Sequence, residues 1–292
     1  MPVQLPSSRP EHCRIAGLDV LLRRGSADQP PLLLLHGIGS RSFSFSPLMS
    51  ALDARRTVIA WDAPGYGNSQ PLLTQTPDVS DYAAAVLALL DAYPLPTIDL
   101  LGHSLGTLIA AHVAVTASNR VRRLALLSPT LGYGISSGDP LPPAVAARPE
   151  ELTALGAEAF ARKRGVRLVH DSDRKPDITE AVIAAMATMT MPGYSQATHL
   201  LGSGRLLDDI EKLCCPTMIA VGAEDVVTPP AVARRVAQAL PQKAATYPDA
   251  VEIPCCGHAV YLEDPVTVAA LLNRHFSNAE DHTNKATSPE AH

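Results

Sequence analysis

The sequence predicts an α/β fold in which a mostly parallel central sheet carries helices on both faces and one helical insertion interrupts the alternation. Two observations support this prediction. Short apolar runs of strand length alternate with segments of helical spacing from about residue 32 to residue 127, and the alternation resumes at residue 216. Residues 129 to about 205 instead contain helical stretches with little strand character. Alternating strands and helices are typical of a parallel sheet covered on both faces.

Composition limits the class of protein. The chain has 292 residues, 46% of them hydrophobic, enough for a large core in one domain with an insertion or in two domains. The net charge is −5 with both signs mixed along the chain, and aromatic residues make up 4%, so we expect no nucleic-acid partner. No window approaches the roughly 18 apolar residues of a membrane span, and residues 1–10 lack the apolar core of a signal peptide. We therefore expect a cytoplasmic protein that does not bind membranes.

The cysteines favour free thiols over disulfides. An odd number of cysteines in vicinal pairs is a poor disulfide framework, and neither C-x-x-C nor zinc-finger spacing occurs. We expect buried free thiols and no metal site. The five positions are Cys13, Cys214, Cys215, Cys255 and Cys256.

The first elements are a hairpin and a fully buried strand. Residues 14–24 alternate weakly, which indicates a hairpin with its turn at Gly17. Residues 32–35 are four leucines, a run typical of a strand buried on both faces of a parallel sheet. The run ends in His36-Gly37-Ile38-Gly39-Ser40, where glycine lets the backbone bend tightly or approach a ligand. This loop is either an ordinary strand-to-helix turn or half of an oxyanion hole, with the Ile38 N–H pointing at a substrate carbonyl.

The next elements continue the alternation. Residues 57–61 have the pattern of a strand and end in a rigid loop, Asp62-Ala63-Pro64-Gly65-Tyr66-Gly67-Asn68-Ser69. Residues 81–93 have helical spacing, and residues 121–127 form another apolar run. Strands and helices therefore alternate on both sides of the motif described next.

The strongest motif is Gly102-His103-Ser104-Leu105-Gly106. An apolar strand, residues 98–101, precedes it, and a helix rich in small residues, 107–114, follows it. In this context the serine of G-x-S-x-G sits on a sharp turn with its hydroxyl exposed, and the glycines avoid collisions with the adjacent strand and helix. Ser104 is therefore predicted to be a nucleophile, with the Leu105 N–H as the second oxyanion-hole donor. The alternative is a glycine-rich turn with an N-capping serine.

The insertion is predicted to begin with a proline-rich linker at residues 139–149, followed by helical stretches at 150–164, 179–189 and 194–201. Methionines are flexible and suit a pocket for an apolar substrate. Ordinary contacts between the insertion and the core are the alternative. The residues concerned are Met186, Met189, Met191 and Tyr194.

The alternation resumes with an apolar strand at residues 217–222. Asp225 follows at its C-terminal end, where open α/β sheets place functional groups. A last strand is predicted within residues 244–253, and a closing helix at 266–276. Between them lies His258, within Gly257-His258.

These motifs resemble those of the α/β-hydrolase superfamily, in which a serine, an acid and a histidine follow one another in that order. The resemblance implies that Asp225, in the pattern Gly222-x-x-Asp225, is the orienting acid and that His258 is the base. It covers about residues 30–276 and is weakest in the insertion. The matching segments are His36-Gly37-Ile38-Gly39-Ser40, Asp62-x-Pro64-Gly65-Tyr66-Gly67-x-Ser69 and Gly102-His103-Ser104-Leu105-Gly106.

The resemblance also implies a domain organisation. Residues 12–129 and 206–276 would form the α/β-hydrolase core, residues 130–205 a helical cap over the active site, and residues 1–11 and 277–292 flexible termini. The expected substrate-pocket residues are His36, Gly37, Met186, Met189 and Tyr194.

The implied activity is hydrolysis of a carboxylic ester or lactone through an acyl-enzyme on Ser104, without cofactor or metal. The expected partner is a small, largely apolar substrate, and a homo-oligomer is compatible with the sequence.

Two alternatives stay open. A carbon–carbon bond hydrolase of aromatic meta-cleavage products would use the same triad, but that branch usually carries a tryptophan after the histidine, where this chain has Ala259. Its acidic substrate would need a cation, and the arginines available in and near the insertion are Arg162, Arg164, Arg167 and Arg205. A non-catalytic ligand receptor with the same pocket is the second alternative.

Overall fold

The computed structural model describes residues 9–26, 29–93, 95–136 and 139–277. The described strands form one eight-stranded sheet in the order β1-β2-β4-β3-β5-β6-β7-β8. The predicted α/β fold with a mostly parallel sheet is confirmed. The strands are β1 (Glu11–Ile15), β2 (Leu18–Arg23), β3 (Leu32–Leu35), β4 (Val58–Trp61), β5 (Ile98–His103), β6 (Val121–Leu127), β7 (Thr217–Gly222) and β8 (Val251–Ile253).

Helices cover the sheet, and four of them, α4 to α7, lie in the chain segment that connects β6 to β7. We call α4 to α7, with the two 3₁₀ turns Val166–Leu168 and Ser172–Arg174 that connect α5 to α6, the helical insertion. The helices are α1 (Ser46–Ala51), α2 (Val79–Ala92), α3 (Leu105–Thr116), α4 (Pro143–Leu155), α5 (Ala157–Gly165), α6 (Pro176–Met186), α7 (Gly193–Ser203), α8 (Leu206–Ile210), α9 (Pro230–Ala239), α10 (Val260–Glu263) and α11 (Pro265–Phe276).

The strand register brings the functional loops to one edge of the sheet. Strands β3 to β8 are mutually parallel, whereas β1 and β2 form an antiparallel hairpin that pairs with β4. Leu35 at the end of β3 is level with Gly102 of β5, and Gly222 at the end of β7 is level with Ile253 of β8. The loops after β3, β5, β7 and β8 therefore leave the sheet at the same edge, as functional loops do in open α/β sheets.

The four leucines of β3 show why the sheet needs helices on both faces. All four are fully buried. Leu33 and Leu35 belong to the core cluster that includes residues of α2 and α3, and Leu32 and Leu34 belong to the cluster that includes residues of α1 and α11. Because successive side chains of a strand point to opposite faces, a continuous apolar run requires cover on both.

The N-terminal hairpin forms where the sequence predicts it, with Arg14 opposite Asp19 and positive φ at Ala16 and Gly17. The predicted flexible arm is too long, because Glu11 pairs with Leu22 in the sheet. Residues 1–8 of that arm, and residues 278–292 of the predicted flexible C-terminus, lie outside the described residues.

The predicted linker at residues 139–149 is wrong in its second half. Helix α4 begins at Pro143 and includes Pro149. Proline is tolerated in the first helical turn, because its missing N–H has no acceptor there. The predicted single helix at 150–164 is divided at Gly156, which has φ 74° and ψ 160° and separates α4 from α5.

The five cysteines are free thiols, as expected, but only Cys256 is buried as expected: Cys13 and Cys215 are half-buried, and Cys214 and Cys255 are exposed. The two exposed cysteines lie in loops at strand ends rather than in the core. None of the helices described is long and apolar enough to cross a bilayer.

A buried ion cluster ties the last helix to the sheet. Asp99 of β5 is fully buried, and its Oδ2 accepts hydrogen bonds from Arg56 at 2.5 Å and from Arg122 at 2.6 Å. Both arginines also donate to the carbonyl of Phe276, the last residue of α11. Asp99 is thus a structural acid, because it lies near the N-terminal end of β5, far from the functional edge.

We predict that Asp99→Asn lowers the free energy of unfolding by about 3–5 kcal/mol, because it leaves buried arginine charge uncompensated. Urea denaturation of the wild type and the variant measures the difference. The matched control is Asp91→Asn, since Asp91 pairs with Arg120 but is 67% exposed; its stability stays close to that of the wild type. Equal stabilities for Asp99→Asn and Asp91→Asn would contradict the assignment.

Candidate active site

Ser104 occupies a strained turn between β5 and α3. Its φ of 51° and ψ of −115° fall in a region that a residue with a β-carbon rarely adopts. Glycines on either side make this turn possible. A β-carbon on Gly102 would overlap the carbonyl of Gly106, and one on Gly106 would overlap the carbonyl of Leu35. Packing of the helix start directly against β3 and β5 therefore requires glycine at both positions, as the motif predicts.

The loop after β3 lies against the serine. A β-carbon on Gly37 would come 2.8 Å from the Ser104 Cβ, so this position admits only glycine. The Ile38 N–H donates no hydrogen bond to another described residue, and Leu105 is the first residue of α3, where N–H groups have no intrahelical acceptor. Neither N–H group donates a hydrogen bond to another described residue, and Ile38, Ser104 and Leu105 line the same cavity.

Asp225 and His258 come together at the same edge. Asp225 Oδ2 accepts a hydrogen bond from His258 Nδ1 at 2.8 Å, and its side chain is fully buried. Asp225 Oδ1 accepts the N–H groups of Val227 at 2.8 Å and Thr228 at 2.9 Å. Burial by itself would raise the pKa of Asp225, but the His258 imidazole and these hydrogen bonds outweigh it and lower the pKa to about 2. Asp225 is therefore ionised and holds the His258 proton on Nδ1.

Thr228 is a site residue that the sequence analysis missed. Its Oγ1 lies 3.0 Å from Asp225 Oδ2, 3.2 Å from His258 Nδ1 and 3.1 Å from the carbonyl of Ser128. The hydroxyl of Thr228 thus links Asp225 and His258 to the end of β6. The sequence did contain an indication of this residue. Thr228 is a hydroxyl residue three positions after Asp225, where a turn brings the Thr228 N–H back to the Asp225 carboxylate.

His103 holds the loop that carries His258. Its Nε2–H donates to the carbonyl of His258 at 2.9 Å, and its ring packs edge-on against Tyr261. Burial, together with the nearby His258, lowers the pKa of His103 to about 3, so it is neutral under ordinary conditions. His103, the residue before Ser104, therefore positions the backbone that carries His258.

Ser104 and His258 line one cavity of about 260 Å³, together with Ile38, Leu105 and Thr228. Among the described residues, no hydrogen bond joins the Ser104 hydroxyl to the His258 imidazole; such contacts often tighten only when substrate binds. Three predicted pocket residues line this cavity, namely Met186, Met189 and Tyr194.

The other two predicted pocket residues do not line this cavity. Gly37 lines an adjoining cavity of about 20 Å³ beside His103, and the two cavities share Ile38, Gly39, Leu168 and His258. His36 does not line the cavity: its Nδ1–H donates to the carbonyl of Gly37 at 2.8 Å, and its Nε2 accepts the N–H of Ala63 at 3.0 Å. His36 braces the loops after β3 and β4 because its two ring nitrogens are both used by backbone groups.

The cavity contains three arginines of the helical insertion. They are Arg148, Arg164 and Arg167. The sequence alone could not place Arg164 and Arg167, and Arg148 lies in the segment that was predicted to be a linker. Arg162 instead pairs with Glu158 and Glu180 on the exposed side of α5, and Arg205 donates to the carbonyl of Gly134. No aspartate or glutamate lines the cavity within the part of the chain that the structure describes.

Asp62, which follows β4, organises its own loop. Its Oδ1 accepts the N–H of Ser42 at 2.6 Å, and its Oδ2 accepts a hydrogen bond from Arg41 at 2.9 Å. It makes no contact with His258. Over residues 9–277, apart from the short undescribed gaps, no group of three or more His, Cys, Asp or Glu residues is arranged to hold a metal ion.

Sequence comparison finds relatives with hydrolase names. The chain is 28% identical over 257 residues to the "Putative carbamate hydrolase RutD" of Variovorax paradoxus, which covers 86% of this chain and 91% of the relative. It is 28% identical over 199 residues to the (E)-2-((N-methylformamido)methylene)succinate hydrolase of Acinetobacter baylyi, covering 67% of this chain and 72% of the relative.

Solved structures share the fold. The enol-lactonase of Burkholderia xenovorans superimposes with a TM-score of 0.80 at 19% identity, over 92% of this chain and 100% of that one. A sequence model described as the alpha/beta hydrolase fold matches residues 30–265, which span β3 to the start of α11. The chain therefore belongs to the α/β-hydrolase fold family.

Proposed function

We propose that this α/β hydrolase cleaves a carboxylic ester or lactone through an acyl-enzyme on Ser104. One observation carries the proposal: the strained Ser104 turn and His258 line a common cavity, while Asp225 holds the opposite imidazole nitrogen at 2.8 Å. A nucleophile, a base and an orienting acid in this relation are the parts that acyl transfer requires.

The first step is attack of the Ser104 oxygen on the substrate carbonyl carbon. Because the His258 proton on Nδ1 faces Asp225, the Nε2 lone pair accepts the Ser104 proton during attack. The imidazolium that forms is stabilised by the ionised Asp225, whose own proton affinity is low. Nε2–H then donates to the leaving oxygen, and the alcohol departs.

The backbone stabilises the charge that develops on the carbonyl oxygen. The N–H groups of Ile38 and Leu105 are the donors, and loss of one such donor typically costs about 3–4 kcal/mol of transition-state stabilisation. Both are held by packing rather than by the substrate, since Gly37 lies against Ser104 and Gly106 against β3. Water then enters, loses a proton to His258, and releases the acid from Ser104.

Carbon–carbon bond hydrolysis of an acidic dienoate is a second candidate, which the arginines of the cavity favour. Against it stands Ala259 after the histidine. Disappearance of a yellow dienoate substrate, compared with release of alcohol from an ester, separates the two reactions. The hydrolase names of the relatives argue against a receptor without catalytic activity.

We predict that a fluorophosphonate probe labels the wild type and fails to label Ser104→Ala, whose ester hydrolysis falls at least about 10⁴-fold. The matched control is Ser80→Ala. Ser80 Oγ lies 3.4 Å from His112 Nε2, and His112 Nδ1 lies 3.1 Å from Asp209, but Ser80 is an exposed helical residue without the strained turn. Labelling that persists in Ser104→Ala and disappears in Ser80→Ala would overturn the proposal.

We predict that Asp225→Asn lowers kcat by about 10³–10⁴-fold, because an amide at this position favours the His258 tautomer that cannot accept the serine proton. Initial rates with a 4-nitrophenyl ester measure the loss. Glu224→Gln is the control, since Glu224 is an exposed neighbour outside the cavity; its rate stays at the wild-type level. A kcat for Asp225→Asn within a few fold of Glu224→Gln would argue that Asp225 does not act on His258.

A further inference from the structure

The arginines of the cavity point to the chemistry of the substrate. We infer that the substrate is an acidic ester or lactone whose carboxylate binds Arg148 and Arg167 of the helical insertion while its scissile carbonyl faces Ser104. This inference rests on the proposed function for its reaction, but the anion site itself does not require turnover. It replaces the largely apolar substrate expected from the methionines with a substrate that has one apolar part and one charged end.

Arg148 is available to an anion. It forms no ion pair with any acidic group that the structure describes, and its Nε is buried without a hydrogen-bond partner. Its guanidinium lies near the hydroxyl of Tyr194: burial raises the pKa of Tyr194, and the charge of Arg148 acts in the opposite direction. A cation and a phenol hydroxyl therefore converge on one part of the cavity wall, and both are hydrogen-bond donors to a carboxylate.

Arg167 is an exposed residue that lines the cavity and has no ion-pair partner among the described residues, whereas Arg164 is already paired. The guanidinium of Arg164 donates to Glu151 and lies 4.9 Å from the centroid of the Phe160 ring. Arg148 and Arg167 thus have no carboxylate partner among the described residues, whereas Arg164 of α5 pairs with Glu151 of α4. This difference makes Arg148 and Arg167 the binding residues and Arg164 part of the wall.

The energetics favour an anionic ligand. Arg148 lies beside the apolar walls formed by Phe160, Met186 and Met189, and no acidic side chain lines this cavity. The buried Nε–H of Arg148 has no hydrogen-bond acceptor, which costs free energy, and a carboxylate that binds there restores the missing hydrogen bond. The two arginines belong to the insertion and Ser104 belongs to the core, so the substrate spans the cavity with its charge and its scissile bond at opposite sides.

The cavity has room for a compact acid. Its volume of about 260 Å³ lies just below the usual range of roughly 300–1,000 Å³ for small-molecule sites.

The test compares two esters that differ only in charge: 4-nitrophenyl hydrogen adipate and methyl 4-nitrophenyl adipate. For the wild type we expect kcat/KM to be about 10- to 100-fold higher for the acid, because its ionised carboxylate forms charge-assisted hydrogen bonds. Arg148→Gln and Arg167→Gln each remove most of this preference, because kcat/KM falls much more for the acid than for the methyl ester. Arg162→Gln, an exposed arginine of α5 outside the cavity, keeps the wild-type preference.

Equal kcat/KM for the two esters in the wild type, or equal losses for both in the arginine variants, would overturn the anion site. If neither ester is hydrolysed in a Ser104-dependent way, the proposed reaction fails, and calorimetry on Ser104→Ala then decides the anion site. Binding of adipate but not of dimethyl adipate, lost in the Ser104→Ala, Arg148→Gln double variant, supports the site. Absence of that discrimination refutes it.

Discussion

The close packing of the Ser104 turn between β3 and β5 is the constraint on which the site depends. Ser104 is held at a φ of 51°, which costs backbone free energy of order 1–3 kcal/mol. Gly102 and Gly106 have no side chain, so the start of α3 packs directly against the backbone of β5 and β3. Gly106 lies against the carbonyl of Leu35. The same packing places the start of α3 and the loop after β3 next to Ser104. Core packing of the sheet thus provides the rigidity that the proposed oxyanion site needs.

The parallel register extends this arrangement to the other two residues. Strands β7 and β8 end level with each other, so Asp225 and His258 leave the sheet side by side. Their pair is buried and is held from two directions: Thr228 contacts both side chains, and His103 binds the backbone of His258. Each supporting group comes from a different strand end. The low polarity around Asp225 strengthens its interaction with the imidazole, because few waters compete for the carboxylate.

Most of the core and the three central residues could be predicted from sequence, because each is tied to a strand end by a local pattern. The insertion could not be predicted in the same detail. Arg162 and Arg164 lie two positions apart on α5, a rotation of about 200° at 3.6 residues per turn, and only packing decides which one faces the cavity. Arg148 was missed because prolines suggested a linker where Pro143 in fact begins a helix. His36, placed in the pocket by its motif, instead uses both nitrogens on backbone groups.

The central claim is that Ser104 carries the acyl group during turnover. The most direct measurement is mass spectrometry of the protein quenched in acid during hydrolysis of a 4-nitrophenyl ester, followed by peptide mapping. We expect the mass of one acyl group, located on the peptide containing Ser104 and absent from Ser104→Ala. Hydrolysis in ¹⁸O water, followed by mass analysis of the acid and the protein, provides the complementary readout. An acyl group on another residue, or an ¹⁸O label that enters a protein carboxylate during single turnover, would contradict the account.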